Sequence, residues 1–157
     1  MREIAEHMAN ASRDERDLAL VTVVKSKGST PRHAGSRMLV DAGGLACGTI
    51  GCGAIEAHAI KKAQSTLGGK TCLAEDMELK LASKKGLNMP CGGDATLLYT
   101  PVNSNDTHWR DVAHEMLRCI DQRIPSYLVV ECPEDGQARE SNVALLDTKG
   151  APLAGKR

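Results

Sequence analysis

The sequence has few aromatic side chains and no excess of either charge. Its 157 residues include no Phe, one Trp and two Tyr, and 20 basic residues balance 20 acidic ones. Proteins that bind single-stranded nucleic acid need aromatic stacking platforms, and those that bind duplexes need a basic patch. Adjacent basic residues occur here at most in pairs, such as Lys61 and Lys62. The composition therefore predicts no nucleic-acid partner.

Long hydrophobic runs are also missing. No apolar stretch approaches the roughly 18 residues that a transmembrane helix needs. The segment from Met1 to Arg16 carries charges throughout, which is not typical of a secretory signal peptide. We therefore expect no contact with a membrane and a cytoplasmic location.

Closely spaced cysteine pairs are absent as well. None of the six cysteines shows the two-residue spacing of zinc knuckles or redox motifs, so neither a structural zinc site nor a disulfide framework is expected. Two of them, Cys52 and Cys91, lie among glycines, where an exposed thiol can react or bind a soft metal. The other four fall within apolar patterns and are interpreted as small buried residues: Cys47, Cys72, Cys119 and Cys132.

Helix and strand patterns alternate along the chain. Helical spacing of apolar residues predicts helices over about 2–11, 53–67 and 107–122, the last capped by Asp106 or Thr107. Buried or alternating runs predict strands over 18–24, 37–40, 45–50, 71–81, 95–99, 127–132 and 142–147. Residues 148–157 are expected to form a turn without a partner strand. The predicted fold is α/β or α+β, a single domain over 1–157 with one mixed β-sheet and about three helices.

The first of three glycine-rich loops breaks away from the strand that begins at Leu18. Gly28, Ser29, Thr30 and Arg32 combine backbone freedom, two hydroxyl groups and a guanidinium. With Arg37 nearby, such a loop can bind a phosphate through bidentate hydrogen bonds. An ordinary polar loop with a surface arginine is the alternative.

The second loop runs from Gly48 to Glu56 and joins a strand to a helix. Its residues Gly51, Cys52 and Gly53 precede a helix start, where backbone N–H groups without intrahelical partners favour an anion. Glu56 lies in the first turn, where it either complements the helix dipole or reaches a ligand. The alternative is that the glycines simply turn the chain.

The third loop places Cys91, Gly92 and Gly93 directly before a strand. A thiol with open backbone around it suits a ligand or sulfur site. A plain turn is again the alternative.

Taken together, these three segments resemble the signature segments of the XdhC/CoxI family of xanthine dehydrogenase accessory proteins. The resemblance covers about 18–101 and implies a chaperone that binds the molybdenum cofactor, as molybdopterin or its dinucleotide form. It also implies that the protein supports sulfuration of the cofactor and its insertion into a molybdenum hydroxylase such as xanthine dehydrogenase or carbon monoxide dehydrogenase. The matching positions are then cofactor-binding, with Cys91 a contact to molybdenum: Gly28, Ser29, Thr30, Arg32, Gly51, Cys52, Gly53, Glu56, Cys91, Gly92 and Gly93.

The partners that this resemblance implies are a hydroxylase apoenzyme and a cysteine desulfurase-type sulfur donor, with a homodimer as a further expectation. Two features depart from the family pattern. Ala54 occupies the usual cysteine position, and a thiol, Cys52, stands two residues earlier. The Rossmann-like C-terminal domain of many members has no room here, which predicts a short stand-alone member or the N-terminal piece of a split system.

Two other classes of function remain open from the sequence. One is a thiol-dependent sulfur- or nucleotidyl-transfer enzyme with Cys91 or Cys52 as nucleophile. Only His33 lies close to these loops, so an activating base is not evident and no catalytic residue is assigned. The other is a cofactor-free interaction module that bridges apoenzyme and sulfur donor.

Overall fold

Three helices and nine strands form the part of the chain that this computed structural model describes, residues 1–30, 32–51, 53–79, 93–131, 139–140 and 142–155. The helices are α1 (Arg2–Asn10), α2 (Gly53–Gln64) and α3 (Thr107–Asp121). The strands are β1 (Leu18–Lys27), β2 (Arg37–Asp41), β3 (Gly44–Gly48), β4 (Thr71–Glu78), β5 (Asp94–Val102), β6 (Ser126–Val130), β7 (Arg139–Glu140), β8 (Val143–Asp147) and β9 (Pro152–Gly155).

The strands form two antiparallel sheets. The larger has the order β3-β2-β1-β5-β4-β7, and the smaller has the order β6-β8-β9. The predicted class and the three helices are confirmed, whereas the single mixed sheet is corrected to two antiparallel sheets. The pairing of β1 with β5, from Leu18 opposite Val102 to Lys27 opposite Asp94, joins distant parts of the chain in the middle of the large sheet.

The last strand corrects the prediction that residues 148–157 form an unpaired turn. The Asp147 carboxylate accepts hydrogen bonds from the backbone N–H groups of Lys149 and Ala151, each at 2.8 Å. These bonds close a tight turn. The chain therefore returns along β8, and Ala154 lies opposite Leu145.

Strand β1 is buried on both faces because helices cover both sides of the large sheet. Leu18 and Leu20 belong to a hydrophobic cluster with α1 and α3, and Ala19 and Val21 belong to a second cluster with α2. Helix α3 also packs against the small sheet, through Val143 and Leu145 of β8. Each fully buried large apolar side chain contributes about 1.5–3 kcal/mol.

Two strands of the large sheet are longer than predicted. A β-bulge between Val23 and Lys25 lets the polar end of β1 continue pairing to Lys27, so the chain does not break away at Lys25. Strand β5 continues through Pro101 to Val102, because the ladder with β4 ends at Tyr99 and leaves that side of Pro101 unpaired.

The helix limits agree with the sequence except at the end of α2. Asp106 caps α3 as predicted, since its side chain accepts a hydrogen bond from the backbone N–H of His108 at 2.9 Å. Helix α2 ends at Gln64 instead of about Leu67. The Ser65 and Thr66 hydroxyl groups donate to nearby carbonyl oxygens, a local bonding pattern that competes with helix continuation.

The ends of the strands bring the three glycine loops to one place. Strands β1, β3 and β4 end, and strands β2 and β5 begin, at the same end of the large sheet, because all their pairings are antiparallel. The loops that follow Lys27 and Gly48 and the loop that precedes Asp94 therefore share this end. None of the helices in the described ranges has the length and hydrophobicity needed to span a bilayer.

Candidate functional site

The first and third glycine loops are in direct contact through Gly93. A Cβ atom at Gly93 would lie 2.5 Å from the carbonyl oxygen of Lys27 and 3.0 Å from that of Ser29. It would also lie 2.8 Å from the methyl carbon of Thr30. No side chain fits there without moving backbone. Gly93 is therefore needed for the close approach of the two loops.

The first loop is held by its own hydrogen bonds. Gly28 has a φ of 72°, a left-handed conformation that favours glycine, and its carbonyl accepts from the Thr30 backbone N–H at 3.0 Å. The Thr30 hydroxyl donates to the carbonyl of Arg32 at 3.1 Å. Ser29 is exposed, as is Arg32. The loop thus presents a serine hydroxyl and a guanidinium to solvent from a closed backbone.

The second loop begins with a glycine that sequence reasoning did not single out as a ligand. Gly48 has a φ of 80°, and a Cβ atom there would lie 2.5 Å from the carbonyl oxygen of Arg37. The Thr49 backbone N–H donates to that same carbonyl at 3.0 Å. Gly48 therefore ties the start of the second loop to the start of β2.

Glu56 binds the second loop from within the protein. Its Oε1 atom accepts from the Thr49 hydroxyl at 2.5 Å and from the backbone N–H groups of Ile50 and Gly51 at 3.1 and 3.3 Å. Gly51 has a φ of 144°, which aims its N–H into this turn. The Gly51 N–H, which the sequence suggests for an external anion, is thus bonded to the protein's own carboxylate. In this conformation the role of Glu56 is to fix the turn.

A cleft of about 230 Å³ lies between the first two loops and the start of α1. We call it the arginine cleft. Its lining includes two arginines and the backbone around Gly48. The full set is Met1, Glu3, Ile4, Arg32, Ser36, Arg37, Gly48 and Thr49. Its volume suits a phosphate or pyrophosphate group and is smaller than a typical pocket for an entire drug-sized molecule.

The two arginines of this cleft pair with no carboxylate among the described residues. Arg37 is half-buried, its Nε atom is buried without a hydrogen-bond partner, and its Nη1 contacts the sulfur of Met1 at 3.9 Å. Burial lowers the pKa of Arg37. A partly desolvated cation without a counter-charge gains from an anion placed beside it. The cleft is therefore suited to anions, although Glu3 contributes one negative charge to its wall.

A second, larger cleft of about 520 Å³ lies on the same face of the large sheet as the arginine cleft. We call it the wide cleft. Charged and polar side chains on β1, β4 and β5 surround it, and Thr96 donates to the Asp76 carboxylate at 2.6 Å. Its lining is Lys25, Ser26, Lys27, Asp76, Met77, Glu78, Asp94, Ala95 and Thr96. Its size and mixed polarity suit a small organic ring system with hydrogen-bonding edges.

Several predicted site residues stand apart from these contacts. Gly53 is exposed at the start of α2, and a Cβ atom there would meet nothing within 4 Å, so the space in front of it is open. Three other predicted residues, Cys52, Cys91 and Gly92, lie outside the described residues. Cys132, predicted to be buried, lies outside them too.

The remaining cysteines are buried, as predicted. These are Cys47, Cys72 and Cys119. Burial, together with the negative charge of Glu3, raises the pKa of Cys47 to about 11. Cys47 precedes Gly48 and so lies beside the arginine cleft.

Sequence reasoning missed the contribution of α1 to this site. Met1, Glu3 and Ile4 reach the cleft because α1 packs against α3 and β3, a placement that no local pattern reveals. The sequence singles out Arg37 only as a neighbour of Arg32. Alternation along β2 places Arg37 on the same face as Leu39, which faces α1, and this signal was available in the sequence.

Comparison with known proteins adds two findings. Residues 11–75 match the model of the XdhC and CoxI family, which confirms the resemblance over the first two glycine loops. The fold is similar to that of a solved structure from Bacillus halodurans described as a xanthine dehydrogenase, with 20% sequence identity and a TM-score of 0.71. That similarity covers 99% of this chain and 45% of the other, so the chain spans less than half the length of that structure. No curated protein matches the sequence.

Proposed function

From the match of residues 11–75 to the XdhC and CoxI family, we propose that this chain binds the molybdenum cofactor as cargo and assists its maturation. Maturation here means sulfuration of the cofactor and its insertion into a molybdenum hydroxylase of the xanthine dehydrogenase type. The recipient enzyme is then the first partner, and a cysteine desulfurase-type sulfur donor is the second. The observation that carries the proposal is the arginine cleft.

The cargo has an anionic tail, and the cleft fits such a group. Arg37 offers a buried guanidinium nitrogen without a partner among the described residues, and Arg32 offers an exposed guanidinium on the first loop, which precedes Arg37. Planar guanidinium groups bind phosphate in bidentate geometry. The open space in front of Gly53 leaves room for a ligand to approach the start of α2. Arg32 and Arg37 would hold the phosphate of the cofactor.

The rest of the cargo requires more space than the arginine cleft offers. The wide cleft lies on the same face of the sheet, and Lys27 at its rim contacts Gly93 of the third loop. A pterin ring has several hydrogen-bonding edges, which match the lysine, aspartate and threonine groups of this cleft. The cofactor supplies the metal and sulfur chemistry of the recipient hydroxylase, and this chain's residues hold and orient it.

The direct test is to identify the pterin that copurifies with the protein from cells with an intact molybdenum cofactor pathway. We expect near-stoichiometric pterin in the wild type and about a tenfold loss or more in Arg32→Met and Arg37→Met. Arg118→Met is the matched control, because Arg118 is an exposed arginine on α3 that pairs with Glu115. Pterin absent from the wild type, even after incubation with isolated cofactor, would overturn the proposal.

The thiol of Cys91 needs a separate measurement. A Cys91→Ala variant that keeps part of its cofactor affinity supports a holder of cargo. Catalytic sulfur transfer by the wild-type protein alone, abolished in this variant, would instead identify a transfer enzyme.

A further inference from the structure

We propose that Glu3, His7 and Cys47 form a binding site for a zinc ion where α1 meets β3. One ligand atom from each residue lies within 4.8 Å of the other two. The site adjoins the arginine cleft through Glu3 but uses none of the residues proposed above to hold the cargo, and it does not depend on them. No cysteine spacing in the sequence predicts the site, because Cys47 lies forty positions after His7.

Helical geometry explains how two of the ligands come together. Glu3 and His7 are four residues apart on α1, so their side chains lie one above the other on the same face. Cys47 is buried on β3, His7 is half-buried, and Glu3 is exposed. The three ligand atoms therefore run from the protein interior to solvent, which gives an ion a path of entry.

The chemistry of the three ligands selects the metal. A thiolate, an imidazole and a carboxylate are the ligand types that zinc prefers, at metal–ligand distances of about 2.0–2.3 Å. Tetrahedral geometry then separates the ligand atoms by about 3.5 Å. The three ligand atoms must therefore come closer to one another by about 1 Å. The exposed side chain of Glu3 can make this adjustment by rotating about its bonds. Binding releases the thiol proton of Cys47.

Three protein ligands leave a fourth coordination position open. Glu3 also lines the arginine cleft, so the open position is next to that cleft. This arrangement is typical of zinc sites that hold water or an exchangeable ligand, and differs from closed structural sites with four protein ligands.

Arg16 competes with a metal ion for the imidazole of His7. Its Nη2 atom lies 3.0 Å from Nδ1 of His7, and its Nη1 atom lies 3.3 Å from the Asp41 carboxylate. Arginine only donates, so the imidazole accepts at Nδ1. A metal at Nδ1 takes the same lone pair, and a metal at Nε2 places a proton on Nδ1 that faces the guanidinium. In either case Arg16 must turn away from His7, and Asp41 remains available to pair with it.

The test uses the full chain, freed of metal with a chelator, and titrated with Co²⁺ as a spectroscopic probe and with Zn²⁺ in competition. We expect one tightly bound ion with a thiolate-to-cobalt absorption band. This band should disappear in Cys47→Ala and persist in Cys72→Ala, a buried cysteine on β4 that serves as the matched control. Glu3→Gln, at an exposed position that tolerates change, should weaken Zn²⁺ binding about tenfold. Arg16→Met should tighten it.

The results for these variants distinguish metal binding at Cys47 from metal binding at the other cysteines of the chain. A cobalt–thiolate band that survives in Cys47→Ala, or equal Zn²⁺ affinity in wild type and Glu3→Gln, would overturn the proposal. Weaker binding in Arg16→Met would contradict the competition. A Zn²⁺-dependent rise of the melting temperature that Glu3→Gln loses supports the site even if Cys47→Ala fails to fold. Pterin recovery from metal-free protein reports on the proposed function independently.

Discussion

Gly93 lies so close to Lys27 that a Cβ atom on it would be 2.5 Å from the Lys27 carbonyl oxygen. This contact holds the third glycine loop against the first. Lys27 is the last residue of β1, and Asp94, its partner, is the first residue of β5. The glycine therefore lies where the central strand pair of the large sheet opens into the candidate site.

A Gly93→Ala substitution should destabilise the protein by about 1–3 kcal/mol, because the methyl group overlaps backbone atoms that cannot yield without separating the loops. Gly53→Ala is the matched control and should change the free energy of unfolding by less than about 0.5 kcal/mol, since its Cβ meets open space. Urea unfolding of both variants measures the difference. Equal stability of the two would show that the contact at Gly93 relaxes without cost.

A Glu56→Ala substitution should destabilise the protein without any ligand present. The carboxylate accepts three hydrogen bonds, from Thr49, Ile50 and Gly51. Its loss leaves the Ile50 N–H without its acceptor, whereas the Gly51 N–H keeps its bond to the Thr49 hydroxyl oxygen at 3.2 Å. We expect a loss of about 1–3 kcal/mol in thermal or urea unfolding. Thr49→Val, which removes the hydroxyl but leaves the carboxylate with its two backbone donors, should cost less. Unchanged stability in Glu56→Ala would mean that the carboxylate is held for a ligand instead.

An Arg37→Met substitution should raise the stability of the ligand-free protein by about 1 kcal/mol, because it replaces a partly buried cation that has no counter-charge among the described residues. The same variant should lose the rise in melting temperature that phosphate or pyrophosphate gives the wild type. Arg118→Met serves again as the control and should keep that rise. A wild type whose melting temperature does not respond to either anion would contradict an anion site here.

The unfolding free energy should fall as the pH rises above 10, in part because of Tyr99. This tyrosine is fully buried, and its hydroxyl donates to the Glu75 carboxylate at 2.7 Å. Burial, with this hydrogen bond, raises the pKa of Tyr99 above its ordinary value of 10.0. Above that pH the unfolded chain releases the phenol proton while the folded protein retains it, so the stabilisation present below pH 10 is progressively lost.

A Tyr99→Phe variant tests this dependence. It should be about 1 kcal/mol less stable than wild type at neutral pH, because Glu75 loses a donor. It should also lose less stability between neutral pH and pH 11. An identical alkaline slope in both proteins would assign the decline to other groups.

The sequence predicted local elements well because their signals are local. The hairpin turn at Asp41–Gly44 and the Asp106 cap depend on side-chain chemistry within a few residues, and both agree with the structure. The spacing of apolar residues along the chain predicted which segments form helices and which form strands.

What the sequence did not predict depends on contacts between distant segments. The pairing of β1 with β5 has no signature in either strand, because two buried strands present similar apolar patterns. The hydrogen bond that the Ile50 N–H donates to the Glu56 carboxylate depends on the path of a turn, not on the spacing of residue types. The contribution of Glu3 depends on the docking of α1, which follows from the whole core.

The pairing of Lys27 with Asp94 also has a consequence for the order of events during synthesis. The first two glycine loops leave the ribosome well before β5, and the strand that completes their surroundings is made only after α2 and β4. Pairing β1 with β5 closes a long loop, and the entropy cost of closing it precedes the favourable contacts between the strands. This step is therefore expected to be slow. A nascent chain that has reached the hairpin of β2 and β3 therefore carries Arg32 and Arg37 but lacks the strand that pairs with β1 in the middle of the large sheet.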